Sequence, residues 1–190
     1  EYVPFARLPD RDVVDNSVSF NSASKSFNLA GMRNAYFHST NPRLLAQVQG
    51  QHFGTVGTLG CVSNEAAYRE GAEWLDQMLA YVEDNHKFVE QQVRERLPTV
   101  GFTRAEGTFL TWLDFSDLID RVDAKARAAA EGKTPEEYLQ AWLVERSGVY
   151  LNPGSMYGLG SEGYMRLNIG SSRKVVKGAL DSLATAVNSV

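Results

Sequence analysis

The hydrophobic patterning of this chain predicts a mixed α/β protein with a boundary near residue 97. Three observations carry that reading. Short runs of strand character recur at 17–20, 34–38, 109–114 and 164–169. Longer runs with apolar residues at helical spacing lie at 65–96, 135–146 and 172–187. Pro98 ends the longest of these, and the texture of the sequence changes after it.

Each element follows from local chemistry. The Pro9-Asp10-Arg11-Asp12 run reads as a turn or a short capped helix. Ser17 to Phe20 alternates polar and apolar residues and reads as a short buried strand that delivers its end to Ser22 and Lys25. Asn34 to His38 reads as the next strand. Asn41-Pro42 opens a helix to about Gln51, with Asn41 as N-cap and Pro42 at the first helical position. Gly54, Gly57 and Gly60 then read as a flexible loop, and Asn64 starts the long helical pattern. That pattern reads as one helix, or as two with a break near Gly71 or near Asp84-Asn85. Phe109 to Asp114 reads as a strand and Asp123 to Glu131 as a helix. Thr134 caps a further helix from Pro135 to about Arg146, which Gly148 closes. Val149 to Leu151 and Tyr164 to Ile169 read as strands, and Ser172 to Val187 as a final amphipathic helix. Arg166 and Asn168 share one strand face, because side chains repeat every second residue.

Composition bounds the function. The 190 residues are 43% hydrophobic and 22% charged, the profile of a soluble globular protein. A net charge of −4 argues against nucleic-acid binding, which needs a basic surface. No apolar run approaches a membrane span, and the first residues lack the basic and apolar regions of a signal peptide. The single cysteine, Cys61, permits no intrachain disulfide, fits a reducing compartment and reads as a small buried residue. His38, His52 and His86 are not spaced as a metal site.

Two clusters carry chemistry. In Ser22-Ala-Ser-Lys25-Ser three hydroxyls crowd one lysine, and Arg33 follows beyond Gly31. A lysine that must hold an aldehyde cofactor bearing a phosphate needs such company: hydroxyls at Ser22 and Ser24 suit phosphate, and the guanidinium fork of Arg33 suits it better. The same Ser-x-x-Lys spacing matches the acyl-enzyme motif of penicillin-recognising proteins, with Ser22 as nucleophile, although no Ser-Asp-Asn or Lys-Thr-Gly partner occurs. It also matches a plain polar loop with a solvated lysine. The second cluster is Gly163-Tyr-Met-Arg166-Leu-Asn168-Ile-Gly170. A guanidinium inside an otherwise apolar strand needs a partner, either a ligand carboxylate or an internal acid such as Asp114 or Glu162.

Together these segments resemble the fold-type I pyridoxal-phosphate enzymes of the class I/II aminotransferase superfamily, and most of all its cystathionine β-lyase-like C–S β-lyases. The resemblance runs through Pro4-Phe5-Ala6, the lysine cluster with Arg33, Gly107-Thr-Phe109-Leu-Thr-Trp112-Leu-Asp114, Pro153-Gly154-x-x-Tyr157-Gly158, and Arg166-Leu-Asn168-Ile-Gly170. It implies that Lys25 is the Schiff-base lysine and general base. Ser22 and Ser24 with Arg33 would bind the phosphate of pyridoxal 5'-phosphate, and Arg166 would bind the α-carboxylate of an amino-acid substrate. Phe109, Trp112 and Asn152 would be structural or at the pocket edge and receive no role.

The resemblance further implies a C-terminal portion of a longer enzyme. Residues 1–97 would be the remainder of the large cofactor-binding domain, and 98–190 the small C-terminal α+β domain. The N-terminal half would be a necessary partner, the isolated portion inactive, and the whole a cytoplasmic homodimer. The implied reaction is β-elimination from cysteine or a cysteine S-conjugate. An aminotransferase uses the same residues, and a non-catalytic module retaining the fold is the remaining alternative.

Overall fold

The structure, a computed structural model, describes residues 3–51 and 56–190. The backbone divides into two compact units, Glu1–Met78 and Leu79–Val190, with the dividing point inside the longest helix.

In the first unit, α1 (Arg11–Asp15) is capped by Asp10, whose carboxylate accepts from the backbone N–H of Asp12 and Val13. Strands β1 (Ser19–Asn21) and β2 (Tyr36–His38) form an antiparallel pair with Phe20 opposite Phe37. The strand expected to be buried from Ser17 starts at Ser19 instead, and Phe20 is 62% exposed. A two-stranded ribbon with no third strand among the described residues has nothing to bury it. Helix α2 (Pro42–Gln49) starts as expected, with Asn41 Oδ1 accepting from the N–H of Arg43 and Leu44.

Helix α3 (Thr58–Glu70) begins well before Asn64. Of the glycines expected to form a loop, Gly54 lies outside the described residues, as does His52. Gly57 is the N-cap of α3 and Gly60 lies within the helix. A Cβ at Gly60 would sit 2.8 Å from the Met32 carbonyl oxygen, so this glycine lets α3 lie against the segment that follows the lysine cluster.

Helix α4 (Ala72–Arg96) starts directly after Gly71. The break falls there because a Cβ at Gly71 would lie 2.6 Å from the Phe27 ring. The helix runs on through Asp84 and Asn85, since Asn85 is fully buried and its amide is used elsewhere. Asn85 Nδ2 donates to the carbonyls of Ile169 (2.8 Å) and Ser171 (3.0 Å), and its Oδ1 accepts from Arg173 Nε (2.7 Å).

The second unit holds a four-stranded antiparallel sheet of β3 (Gly101–Thr103), β4 (Leu110–Asp114), β5 (Asn152–Pro153) and β6 (Tyr164–Asn168), in the order β3-β4-β6-β5. Helices α5 (Ser116–Arg121), α6 (Ala124–Glu131), α7 (Pro135–Ser147) and α8 (Arg173–Val187) complete it. A capping box joins Thr134 and Glu137 at the start of α7, and Gly148 ends it in the left-handed region. Leu113, Met165, Leu143, Val89, Val93 and Leu180 meet in one continuous core.

Two differences from the sequence reading have local causes. Val149 to Leu151 forms no strand, because the Leu151 carbonyl accepts from Gln140 Nε2 (2.6 Å) and pairing starts only at Asn152. The short β3 and α5 carry too few residues for a period to show.

Alternation in β4 and β6 sends Thr111, Leu113, Met165 and Leu167 to the core. Trp112 and Arg166 occupy the opposite face of the sheet. The segment after β6 is held by Asn85. Replacing Asn85 with Ala leaves two carbonyls and one guanidinium N–H of this unit without a partner. Asn85→Ala is expected to cost about 2 kcal/mol or more in urea unfolding, and unchanged stability would contradict the clamp.

Candidate active site

After β1 the chain turns over Ser22 to Phe27, closed by Phe27 N–H to Ala23 O (3.0 Å) and Leu29 N–H to Ser24 O (3.1 Å). Ala23 is buried under the turn, while Lys25 stands exposed on it. Asn28 and Arg33 both take positive φ, 54° and 49°. Asn tolerates that conformation; for arginine it is uncommon, and here it ends the short 3-10 turn Ala30–Met32.

The Ser22 hydroxyl is the staple of this region. It donates to the Asn34 carbonyl (2.8 Å) and accepts the Ser24 N–H (3.0 Å), and its oxygen lies 2.5 Å from Ser24 Oγ. Because the Ser22 proton is taken by Asn34, Ser24 is the donor in the hydroxyl pair. The lysine turn is thereby tied to the residue next to Arg33. Among the described residues neither Lys25 nor Arg33 has an ion pair or a side-chain hydrogen bond.

This geometry bears on the rival readings. Ser22 has no hydrogen bond to Lys25, so no base stands ready to activate it as a nucleophile. A free amine, two hydroxyls and an unpaired guanidinium on one tied segment do fit a phosphate-bearing aldehyde.

Aromatic side chains line the same unit, and the sequence assigned them no role at the site. Phe27 stacks on Trp74 (centroids 6.0 Å apart) and meets the edge of Tyr68 (5.7 Å), which in turn meets Tyr36 (6.0 Å). Partial burial, and then the Tyr36 hydroxyl, push the Tyr68 phenol above its usual range, so it stays protonated at neutral pH.

Arg166 belongs to the second unit. It sits midway along β6, opposite Trp112 of β4 and Asn152 of β5. Its Nη2 donates to Asn152 Oδ1 (3.2 Å), and its guanidinium carbon lies 4.8 Å from the Tyr157 ring centre. Trp112 meets the edges of Tyr157 (5.5 Å) and Tyr164 (6.2 Å). The internal acids considered from the sequence do not pair with it. Asp114 instead accepts from the Ser116 N–H (2.9 Å) and hydroxyl (2.6 Å), and Glu162 is exposed. Arg166 Nε is buried without an acceptor. A half-buried cation whose partners among the described residues are neutral favours an incoming anion.

Cys61 is exposed on α3 rather than buried, with its sulfur 3.6 Å from Asn34 Nδ2. His38 is exposed at the end of β2, and His86 is buried in α4 with Nε2 3.0 Å from the Thr108 carbonyl. The cross-strand row of Trp112, Arg166 and Asn152 could have been anticipated only for its first two members, through the shared alternation of their strands.

Residues 5–183 match the family described as aminotransferase class I and II, and the chain belongs to that family. It is 32% identical over 192 residues to the cystathionine beta-lyase PatB of Bacillus subtilis (strain 168), covering 99% of this chain and 46% of that protein. Among solved structures it resembles a PLP-bound putative aminotransferase from Clostridium difficile 630, with a TM-score of 0.84 and 28% identity over 99% of this chain and 46% of that one. A PLP-bound C-S lyase from Staphylococcus hominis gives a TM-score of 0.82 and 28% identity over 98% of this chain and 45% of that one. The chain thus spans about half the length of the relatives it matches.

The Ser22 staple has a measurable consequence. Ser22→Ala removes the acceptor of the amide at position 24 and the donor to Asn34, whereas Ser24→Ala removes neither. In amide hydrogen exchange, Ser22→Ala is expected to speed exchange at position 24 by about fivefold or more, the equivalent of one net hydrogen bond. Equal protection in both variants would remove the staple from the account.

Proposed function

We propose that this chain is the C-terminal portion of a pyridoxal 5'-phosphate-dependent C–S β-lyase acting on cysteine or a cysteine S-conjugate. The observation that carries the reading is the unpaired Lys25, held beside two hydroxyls on a turn stapled next to the unpaired Arg33. The similarity to PatB, named as a cystathionine beta-lyase, supports the lyase class.

Each residue then has a task. Ser24 and Ser22 would donate to the cofactor phosphate by turning their protons away from their present acceptors, Ser22 Oγ and the Asn34 carbonyl, and Arg33 would neutralise it with its planar fork. Lys25 Nζ would hold the cofactor through its aldehyde, and its amine would serve as the base once the substrate is bound. Arg166 holds the substrate α-carboxylate through parallel N–H bonds and so fixes the amino acid. The freed Lys25 Nζ takes the proton from Cα. The bound cofactor supplies the electron sink for the pair left by that bond. The Cβ–S bond then breaks, sulfur leaves as a thiol after gaining a proton, and water completes the release of pyruvate and ammonia.

Residues 1–97 are read as the remainder of a large domain and 98–190 as the small domain. Val14 and Ala23 are the only buried apolar side chains of the first unit among its described residues, while the second unit has a continuous core. That contrast supports an N-terminal half as the first unit's partner. A homodimer in the cytoplasm completes the proposal, the latter from the single thiol and its reducing-compartment chemistry. No described helix is long and apolar enough to cross a membrane.

An aminotransferase is the second reading, favoured by the family description itself. A non-catalytic module accounts less well for Lys25, Arg33 and Arg166 together, since none of the three has an acid partner among the described residues.

The experiment is turnover by the full-length, cofactor-loaded enzyme of a cysteine S-conjugate without any keto acid. Pyruvate should appear, and Lys25→Ala should reduce its rate by about a thousandfold, the scale of a general base. A strict requirement for a keto-acid acceptor would replace the lyase with the transferase. Arg166→Ala should weaken amino-acid binding far more than cofactor binding, and equal losses would make this arginine structural.

A further inference from the structure

We infer that Asn152 is a positioning residue, which sets the edge of Arg166 that meets the substrate carboxylate. The inference rests on the reading of Arg166 as the carboxylate-binding residue and deepens it.

Trp112, Arg166 and Asn152 form one cross-strand row over β4, β6 and β5. A guanidinium has five N–H groups and can only donate. On Arg166 one Nη2 proton is taken by Asn152 Oδ1 at 3.2 Å, and the Nε proton is buried. The Tyr157 ring lies 4.8 Å from the guanidinium carbon and meets the edge of Trp112. We assign to Asn152 the Nη2 proton beside Nε, which leaves the end-on edge, formed by Nη1 and the second Nη2 proton, for the substrate. A carboxylate bound by two parallel hydrogen bonds uses an edge of this kind.

Asn152 is itself fixed. Pro153 follows it and restricts the backbone. Gly154 then passes so close that a Cβ there would lie 2.2 Å from the Ser161 carbonyl oxygen and 2.7 Å from that of Tyr164. The amide therefore holds Arg166 from a rigid position on β5. Its neutrality matters as much as its reach. A carboxylate at this place would neutralise the guanidinium and compete with the substrate. An aliphatic side chain would leave the long arginine free among its rotamers.

The test uses the full-length, cofactor-loaded enzyme and L-alanine, which has the amine and carboxylate of the substrate but no β-leaving group. Alanine affinity is read from the cofactor spectrum, and fold integrity from the thermal unfolding midpoint. Asn152→Ala is expected to weaken alanine about tenfold, the value of one charge-assisted hydrogen bond. Asn152→Asp is expected to weaken it further while keeping or raising the midpoint, because the new carboxylate satisfies Arg166 from inside. In an Arg166→Ala background, Asn152→Ala should add no further loss.

The inference is overturned if Asn152→Ala binds alanine like the parent while Arg166→Ala does not. Parent-like affinity in Asn152→Asp would also overturn it, as would the same Asn152→Ala loss with and without Arg166. Should Asn152→Ala fail to fold, Asn152→Asp carries the test alone, since it retains an acceptor. If Arg166→Ala itself leaves alanine binding unchanged, the carboxylate-binding reading falls and takes this inference with it.

Discussion

The register of β4 against β6 is the constraint on which the second unit depends. Five residue pairs, from Leu110–Asn168 to Asp114–Tyr164, fix which side chains face the helices and which face away. A slip of one residue would drive Arg166 into the core and turn Met165 and Leu167 out. The core side is filled by Leu113, Met165 and Leu167, so the register is held by burial. Beyond β6, Asn85 seizes the carbonyls of Ile169 and Ser171 and the side chain of Arg173. An arginine without a carboxylate partner among the described residues is thus held by a sheet and a helix that do not depend on its charge.

The first unit is built on the opposite principle. It has little buried apolar surface of its own: Leu59 is 76% exposed and Phe20 is 62% exposed. Its lysine turn is ordered by polar contacts, namely the Ser22 hydroxyl bridging to Asn34 and the Ser24 amide. A few hydrogen bonds of about 1 kcal/mol each can set a local geometry but do not stabilise a domain. This accords with the proposal that the large domain is completed by residues outside the chain.

Much of this was legible in the sequence, and the failures have physical causes. The starts of α2 and α7 were visible because Asn41-Pro42 and Thr134-Pro135 combine a capping side chain with a proline that needs no helical hydrogen bond. The end of α7 at Gly148 was visible for the matching reason at a C-terminus. The burial of β1 was not legible, because alternation reports which face is apolar and not whether anything covers it. Gly60 reads as loop because propensity cannot see the Met32 carbonyl that excludes a side chain there. Among the site residues, Lys25, Ser22, Ser24, Arg33 and Arg166 were legible as unusual chemistry at short spacing. Asn152 and Tyr157 stood out only as parts of the family segments, and their place beside Arg166 was not legible, because the pairing of β5 with β6 that brings Asn152 to Arg166 is a tertiary fact.

The central claim is that Lys25 is the residue to which the cofactor is joined. It is tested most directly by reducing the full-length enzyme with borohydride, digesting it and locating the cofactor-derived mass by peptide mass spectrometry. A single adduct is expected on the peptide containing Lys25, absent from Lys25→Ala. An adduct on another lysine, or none at all in a protein that binds the cofactor, would contradict it.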